Sequence, residues 1–176
     1  MALTLKNLNE QTRTAMLEEV KLDIDNGNLY ISDRLNALGK QRYPELLIES
    51  IKSGDDSTLA TILKQGLFNP TYQRKKPKGG FSNVTMPVNA PDMLAEGEFN
   101  RFYIRGLCRI VVDTKSGQLR VYRARFSQNP RPESEHKIGY IVDASKLLSD
   151  MRDNVGTETY FGVPNGPNSG LSVELI

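Results

Sequence analysis

The chain has 176 residues, with 23 Lys and Arg against 21 Asp and Glu, one His, one Cys and no Trp, for a formal net charge of +2. At 38% hydrophobic and 25% charged residues it is too apolar for a disordered chain and too polar for a membrane protein, and its length suits one domain with a real core. The single Cys108 excludes an intramolecular disulfide framework and any multi-cysteine zinc or iron–sulfur centre, which fits an intracellular or assembly-protected setting.

From Asn9 to about Asn26 the spacing predicts a helix. Asn9 can cap it, Glu10 and Gln11 suit its first turn, and Met16, Leu17, Val20 and Ile24 recur on one face. Asn26-Gly27-Asn28 stops it. After an extended link over 29–31, Ser32-Asp33 can cap a helix carrying Leu35 and Leu38. It is expected to end between Gly39 and Tyr43, because the residue before a proline is disfavoured in the helical region. Pro44 then opens PELLIESIKSG, with apolar Leu46, Leu47, Ile48 and Ile51 and a Gly54 stop; DDSTLATILKQG repeats the scheme with Asp55 or Asp56 as cap and Gly66 as stop. The stretch LLIESIKSGDDSTLATILKQG resembles one ankyrin-type unit. With no TPLH signature and no second copy at the ~33-residue period, the likeness implies only a shared way of packing two antiparallel helices.

Residues 67–90 hold three prolines, a glycine pair and the run Arg74, Lys75, Lys76 and Lys78, and predict a long extended connection. PDMLAEGEFNRFYIRGLC opens on Pro91 with Asp92 and Glu96 near its start, and predicts a helix striped by Met93, Leu94, Phe99, Phe102 or Tyr103, and Leu107. Gly97 and Gly106 lower its helical propensity, and Gly106 would admit another backbone. The β-branched run 108–113, a TKSG turn and QLRVYRARF predict a β-hairpin over 108–126, with Leu119, Val121, Arg123 and Arg125 on one side of its second strand and Arg120, Tyr122, Ala124 and Phe126 on the other. A loop, a short strand over 138–142 and a helix capped by Asp143 with Leu147, Leu148 and Met151 follow. The tail GTETYFGVPNGPNSG then passes through prolines and glycines to LSVELI, a strand expected to pair with a sheet of this chain or of a neighbour. The expected class is α+β: N-terminal helical hairpins followed by a small, mostly antiparallel sheet with one or two helices. A helical part (1–68), a basic Pro/Gly-rich connecting loop (69–90) and an α+β part (91–176) would form one compact unit.

Charge is uneven: −2 over 1–73, +7 over 74–125 and −3 over 126–176. The central block makes a candidate surface for a polyanion or an acidic partner. Arg74, Lys75, Lys76 and Lys78 lie near Tyr72 and Phe81, and Arg120, Arg123 and Arg125 are interleaved with Tyr122 and Phe126, so cations for phosphates alternate with rings for bases. No zinc-finger, RRM, KH or helix-turn-helix pattern accompanies them. His136 beside Glu133 and Glu135 offers a formal base but reads as a loop residue. Cys108 reads as a small buried hydrophobe rather than a nucleophile. Asp113, Glu133, Glu135 and Lys137 show no metal-nuclease spacing, and there is no P-loop, dinucleotide fingerprint or nucleophile elbow. No catalytic residue, metal ligand or cofactor is therefore assigned. No apolar run approaches the roughly 20 residues of a membrane helix, and MALTLKNLNEQTR lacks the pattern of a secretory signal, so neither a membrane partner nor signal-directed secretion is expected.

NAPDMLAEGEFNRFYIRGLC, VYRARFSQNPRPESE and YFGVPNGPNSGLSVEL resemble segments of uncharacterised bacterial and bacteriophage-encoded proteins, some of them virion components. The resemblance covers about the C-terminal half, transfers no functional residue, and implies a virion or the cytoplasm of a bacterial host as the setting. Together with long prolyl loops, a final strand and complementary charge blocks, it favours a non-enzymatic structural protein, such as a capsid-decorating or head-to-tail connecting subunit. Such a subunit would sit in a homo- or hetero-oligomeric assembly and contact neighbours or packaged DNA through the basic loop and strand. The alternatives are a nucleic-acid-binding accessory protein and a metal-dependent nuclease or hydrolase.

Overall fold

Asn9 begins the first helix as its short polar side chain allows, accepting the Thr12 N–H at 2.9 Å to start α1 (Glu10–Asp25). The computed structural model describes residues 3–155, 162–163 and 169–176. The next helix differs from expectation. Asn36, not Ser32-Asp33, is the cap, accepting from Gly39 N at 2.8 Å, and α2 (Ala37–Ser53) runs unbroken through Pro44. The proline removes one helical donor, but Tyr43, Leu46, Leu47 and Ile51 are buried along one face, and that packing outweighs the local preference for a break. Asp55 then accepts from Thr58 N at 2.8 Å and starts α3 (Asp56–Leu63).

The expected connection contains a β-hairpin, β1 (Thr71–Lys75) and β2 (Phe81–Thr85). It leads into α4 (Ala90–Thr114), a 25-residue helix. Here the strand expected over 108–113 is corrected: those residues are helical. Ile110 and Val111 continue the stripe of Phe99, Tyr103 and Leu107 and pack, partly buried, on the core, so the continuing helical stripe overrides the β preference of a short β-branched run. The helix stops at Lys115, in the left-handed region at φ 54°.

The remaining elements are β3 (Leu119–Arg123), the single turn α5 (Pro132–Glu135), β4 (Ile141–Val142), α6 (Ala144–Asp153) and β5 (Leu171–Leu175). Asp143 caps α6, accepting from Lys146 N at 3.0 Å. With 108–113 helical, β3 finds its partner in the terminal strand of its own chain. The three-stranded order is β4-β3-β5, antiparallel throughout, with Leu119 opposite Leu175 and Val121 opposite Val173. The expected Pro/Gly passage over 156–161 and 164–168 lies outside the described residues.

The central α4 packs against α1, α3 and α6, so residues from both halves share one apolar core, among them Met16, Leu47, Leu59, Phe99, Leu147 and Val173. Gly106 lies where α1 crosses α4: a Cβ there would come within 3.0 Å of Met16 Cγ and 3.2 Å of Thr12 O. Among the described residues no helix is long and apolar enough to cross a membrane.

Candidate interaction site

The hairpin is built by its turn. Lys76 N–H donates to Gly80 O at 2.9 Å and Gly79 N–H to Lys76 O at 3.1 Å, which needs Gly79 and Gly80 at φ +90° and +77°, values a side chain would strain. Thr71 pairs with Thr85, and the register runs to Lys75 opposite Phe81. Opposed residues of an antiparallel pair share a face. One face therefore carries Tyr72, Arg74, Ser82 and Val84; the other carries Thr71, Gln73, Lys75, Phe81, Asn83 and Thr85, all exposed.

The root is tied to the segment before α2. Asn69 N–H donates to Arg34 O at 2.9 Å, Asn36 N–H to Leu67 O at 3.0 Å, and the Arg34 guanidinium lies 4.6 Å over the Tyr72 ring. Between root and body opens a polar cleft of about 680 Å³, lined among others by Tyr30, Ser32, Arg34, Asn69, Gln73 and Asn83.

The two halves of the expected basic surface fare differently. Arg74, Lys75, Lys76 and Lys78 stand exposed on the hairpin, form no ion pair among the described residues, and share residues 67–89 with no carboxylate. The strand residues are engaged within the chain. Arg120 holds Glu174 at 2.9 Å, Arg123 pairs with Glu135 and donates to Ser169 O at 2.6 Å, and Arg125 pairs with Glu96. Tyr122 is buried, its hydroxyl donating to Thr4 O at 2.7 Å and accepting from Lys6 N at 3.3 Å. The hydrogen bond from Lys6, with Arg120 beside it, holds the Glu174 carboxyl below its usual range.

A second cluster is buried. Arg105, with no exposure, bonds Glu19 Oε2 at 2.8 and 3.0 Å and both Asp23 oxygens at 2.6 and 2.8 Å; Arg109 and Arg152 close on Glu19 at 3.1 and 2.5 Å. Burial alone would raise the Glu19 carboxyl, but hydrogen bonds from Arg152 and Arg105 and the neighbouring positive charge hold it below its usual value. Three arginines occupy both carboxylate oxygens, so the cluster is a structural clamp joining α1, α4 and α6. Its sequence trace is the i, i+4 spacing of Glu19 with Asp23 and of Arg105 with Arg109. The polar cleft has no such trace, because its lining comes from segments about forty residues apart.

The residues weighed for chemistry lie apart. Cys108 is fully buried, and burial pushes its thiol far above the usual range. His136 is exposed at the end of α5, Asp113 pairs with Arg109 at 3.5 Å, Glu135 pairs with Arg123, and Lys137 donates to Gly162 O at 3.5 Å. Among the described residues no three His, Cys, Asp or Glu side chains gather as a metal site. What the fold and site define is an α+β protein with an exposed cationic ribbon beside a polar cleft. No family model, curated protein or solved structure matches the chain.

Proposed function

We propose that this chain is a non-enzymatic assembly protein that docks on a polyanionic surface through the 71–85 hairpin. The observation that carries this reading is the exposed ribbon with four cations and no carboxylate. Seven of the body's arginines hold acids of the chain and the residues outside the hairpin sum to −2, so the hairpin's four cations stand as a patch of undiluted positive charge. Such a ribbon draws phosphate- or carboxylate-rich surfaces toward itself and fixes the rest of the subunit against them. The virion setting, as a decorating or connecting subunit, is supported by the resemblance of the C-terminal segments.

The test is retention of the full chain on heparin at low salt. Arg74→Ala/Lys75→Ala/Lys76→Ala/Lys78→Ala should elute near the void while keeping the wild-type melting temperature. Unchanged retention of this variant would overturn the reading.

A further inference from the structure

The hairpin's exposed face and the cleft beside it have one chemistry that the charge alone does not explain. Gln73 and Asn83 stand directly opposite each other, both exposed and both lining the cleft, with Asn69, Tyr30, Ser32, the cation of Arg34 and the carboxylate of Asp33, 3.6 Å from Lys40, around them. The next level toward the tip is Lys75 opposite Phe81, a residue 66% exposed, and beyond it lie Lys76 and Lys78. From root to tip the same face offers paired amides, then a ring beside an ammonium, then a cationic turn.

We propose that this face and cleft bind a single-stranded nucleic acid segment, a reading that rests on the polyanion-binding hairpin and names its partner. Lys75, Lys76 and Lys78 contact the phosphates; Phe81 stacks on a base; Gln73 and Asn83, each offering a donor and an acceptor, meet the edge of the base lodged in the cleft. A duplex keeps its bases stacked and paired, so it can present neither a ring face to Phe81 nor a Watson–Crick edge to Gln73 and Asn83. The cleft's volume of about 680 Å³ falls within the ~300–1,000 Å³ of small-ligand sites, room for a splayed base.

The experiment is fluorescence anisotropy of the full chain with a 12-nucleotide single-stranded DNA of mixed sequence, the RNA of the same sequence and the corresponding DNA duplex, with heparin retention measured alongside. Either single strand should bind at least tenfold tighter than the duplex, and the DNA and RNA arms report which sugar is preferred. Phe81→Ala should weaken single-strand binding about tenfold or more, as loss of one stacked base implies, and Gln73→Ala/Asn83→Ala should do likewise; both should leave heparin retention unchanged. These side chains are exposed, so circular dichroism should show all variants folded. Equal affinity for duplex and single strand, or variants as tight as wild type, overturns the inference while retained heparin binding leaves the polyanion reading standing. Loss of heparin and nucleic acid binding alike in the wild-type chain overturns both.

Discussion

At Arg105 a single side chain holds two buried carboxylates, and its removal would strip Asp23 of its ion-pair partner and leave Glu19 to Arg109 and Arg152 alone. Arg105→Met is expected to destabilise the protein by about 3–5 kcal/mol, the cost typical of a buried pair broken from one side, readable as a drop in thermal or urea midpoint; a loss under 1 kcal/mol would show that the clamp is not structural. Asp56 has the opposite character. Burial, with the Asp55 and Glu96 charges, pushes its carboxyl to about 6, although both its oxygens accept from Leu3 N at 3.1 and 3.2 Å. An acid with a raised folded pKa holds its proton more tightly when folded, so its contribution to stability is greatest below the unfolded value of 3.8 and is lost as pH rises through about 6. Asp56→Asn should therefore melt with wild type near pH 4 and above it at pH 7.5, whereas an offset constant across this range would rule out Asp56 as its source. Glu19 works in the reverse sense: its lowered carboxyl stabilises above the unfolded value of 4.5, and that contribution disappears as pH falls through the folded one. The caps at Asn9, Asp55 and Asp143 were legible in the sequence because each acts on an amide three residues away. Arg105 was not, because its partners lie more than eighty residues earlier and only folding selects them.

Element boundaries depart from local preference where that preference meets a tertiary demand. Pro44 reads as a helix start, and Ile110-Val111-Val112 as a strand, yet Pro44 sits inside a helix whose buried face continues past it, and Ile110 and Val111 extend the long buried stripe of α4 by a last, partly buried turn. The residual local cost at Pro44 is testable. Pro44→Ala restores the amide facing the Lys40 carbonyl and should raise stability by about 1–3 kcal/mol; a lower melting temperature would mean that the ring's packing outweighs the missing bond. Gly39, on the same helix, owes its place to a close approach, since a Cβ would lie 2.2 Å from Leu67 O. In the 67–90 segment the prolines concealed the hairpin. Pro70 and Pro87 lie just outside the strands and Pro77 lies in the turn, where none removes a ladder donor, so they bracket the ribbon rather than break it.

For the whole molecule, the near-neutral +2 separates into a ribbon of four cations with no carboxylate and a remainder that sums to −2, in which seven arginines hold acids of the chain. The division is mechanical as well as electrical. No hydrophobic residue between Leu67 and Ala90 is buried, and a two-stranded hairpin has little stability of its own, so the ribbon is held by its root and contributes little to the core. Pro70 O and Met86 N already bond at 2.9 Å, which makes residues 71–85 replaceable by a short Gly-Ser linker. The shortened chain, its net charge changed from +2 to −2 by the loss of Arg74, Lys75, Lys76 and Lys78, should unfold cooperatively within a few degrees of wild type and pass through heparin unretained. If it melts normally and still binds, the polyanion surface belongs to the body and the strand arginines regain their claim. If it fails to fold, the charge-only quadruple variant, which keeps the ribbon intact, still decides between ribbon and body, because it alters no backbone contact at the root.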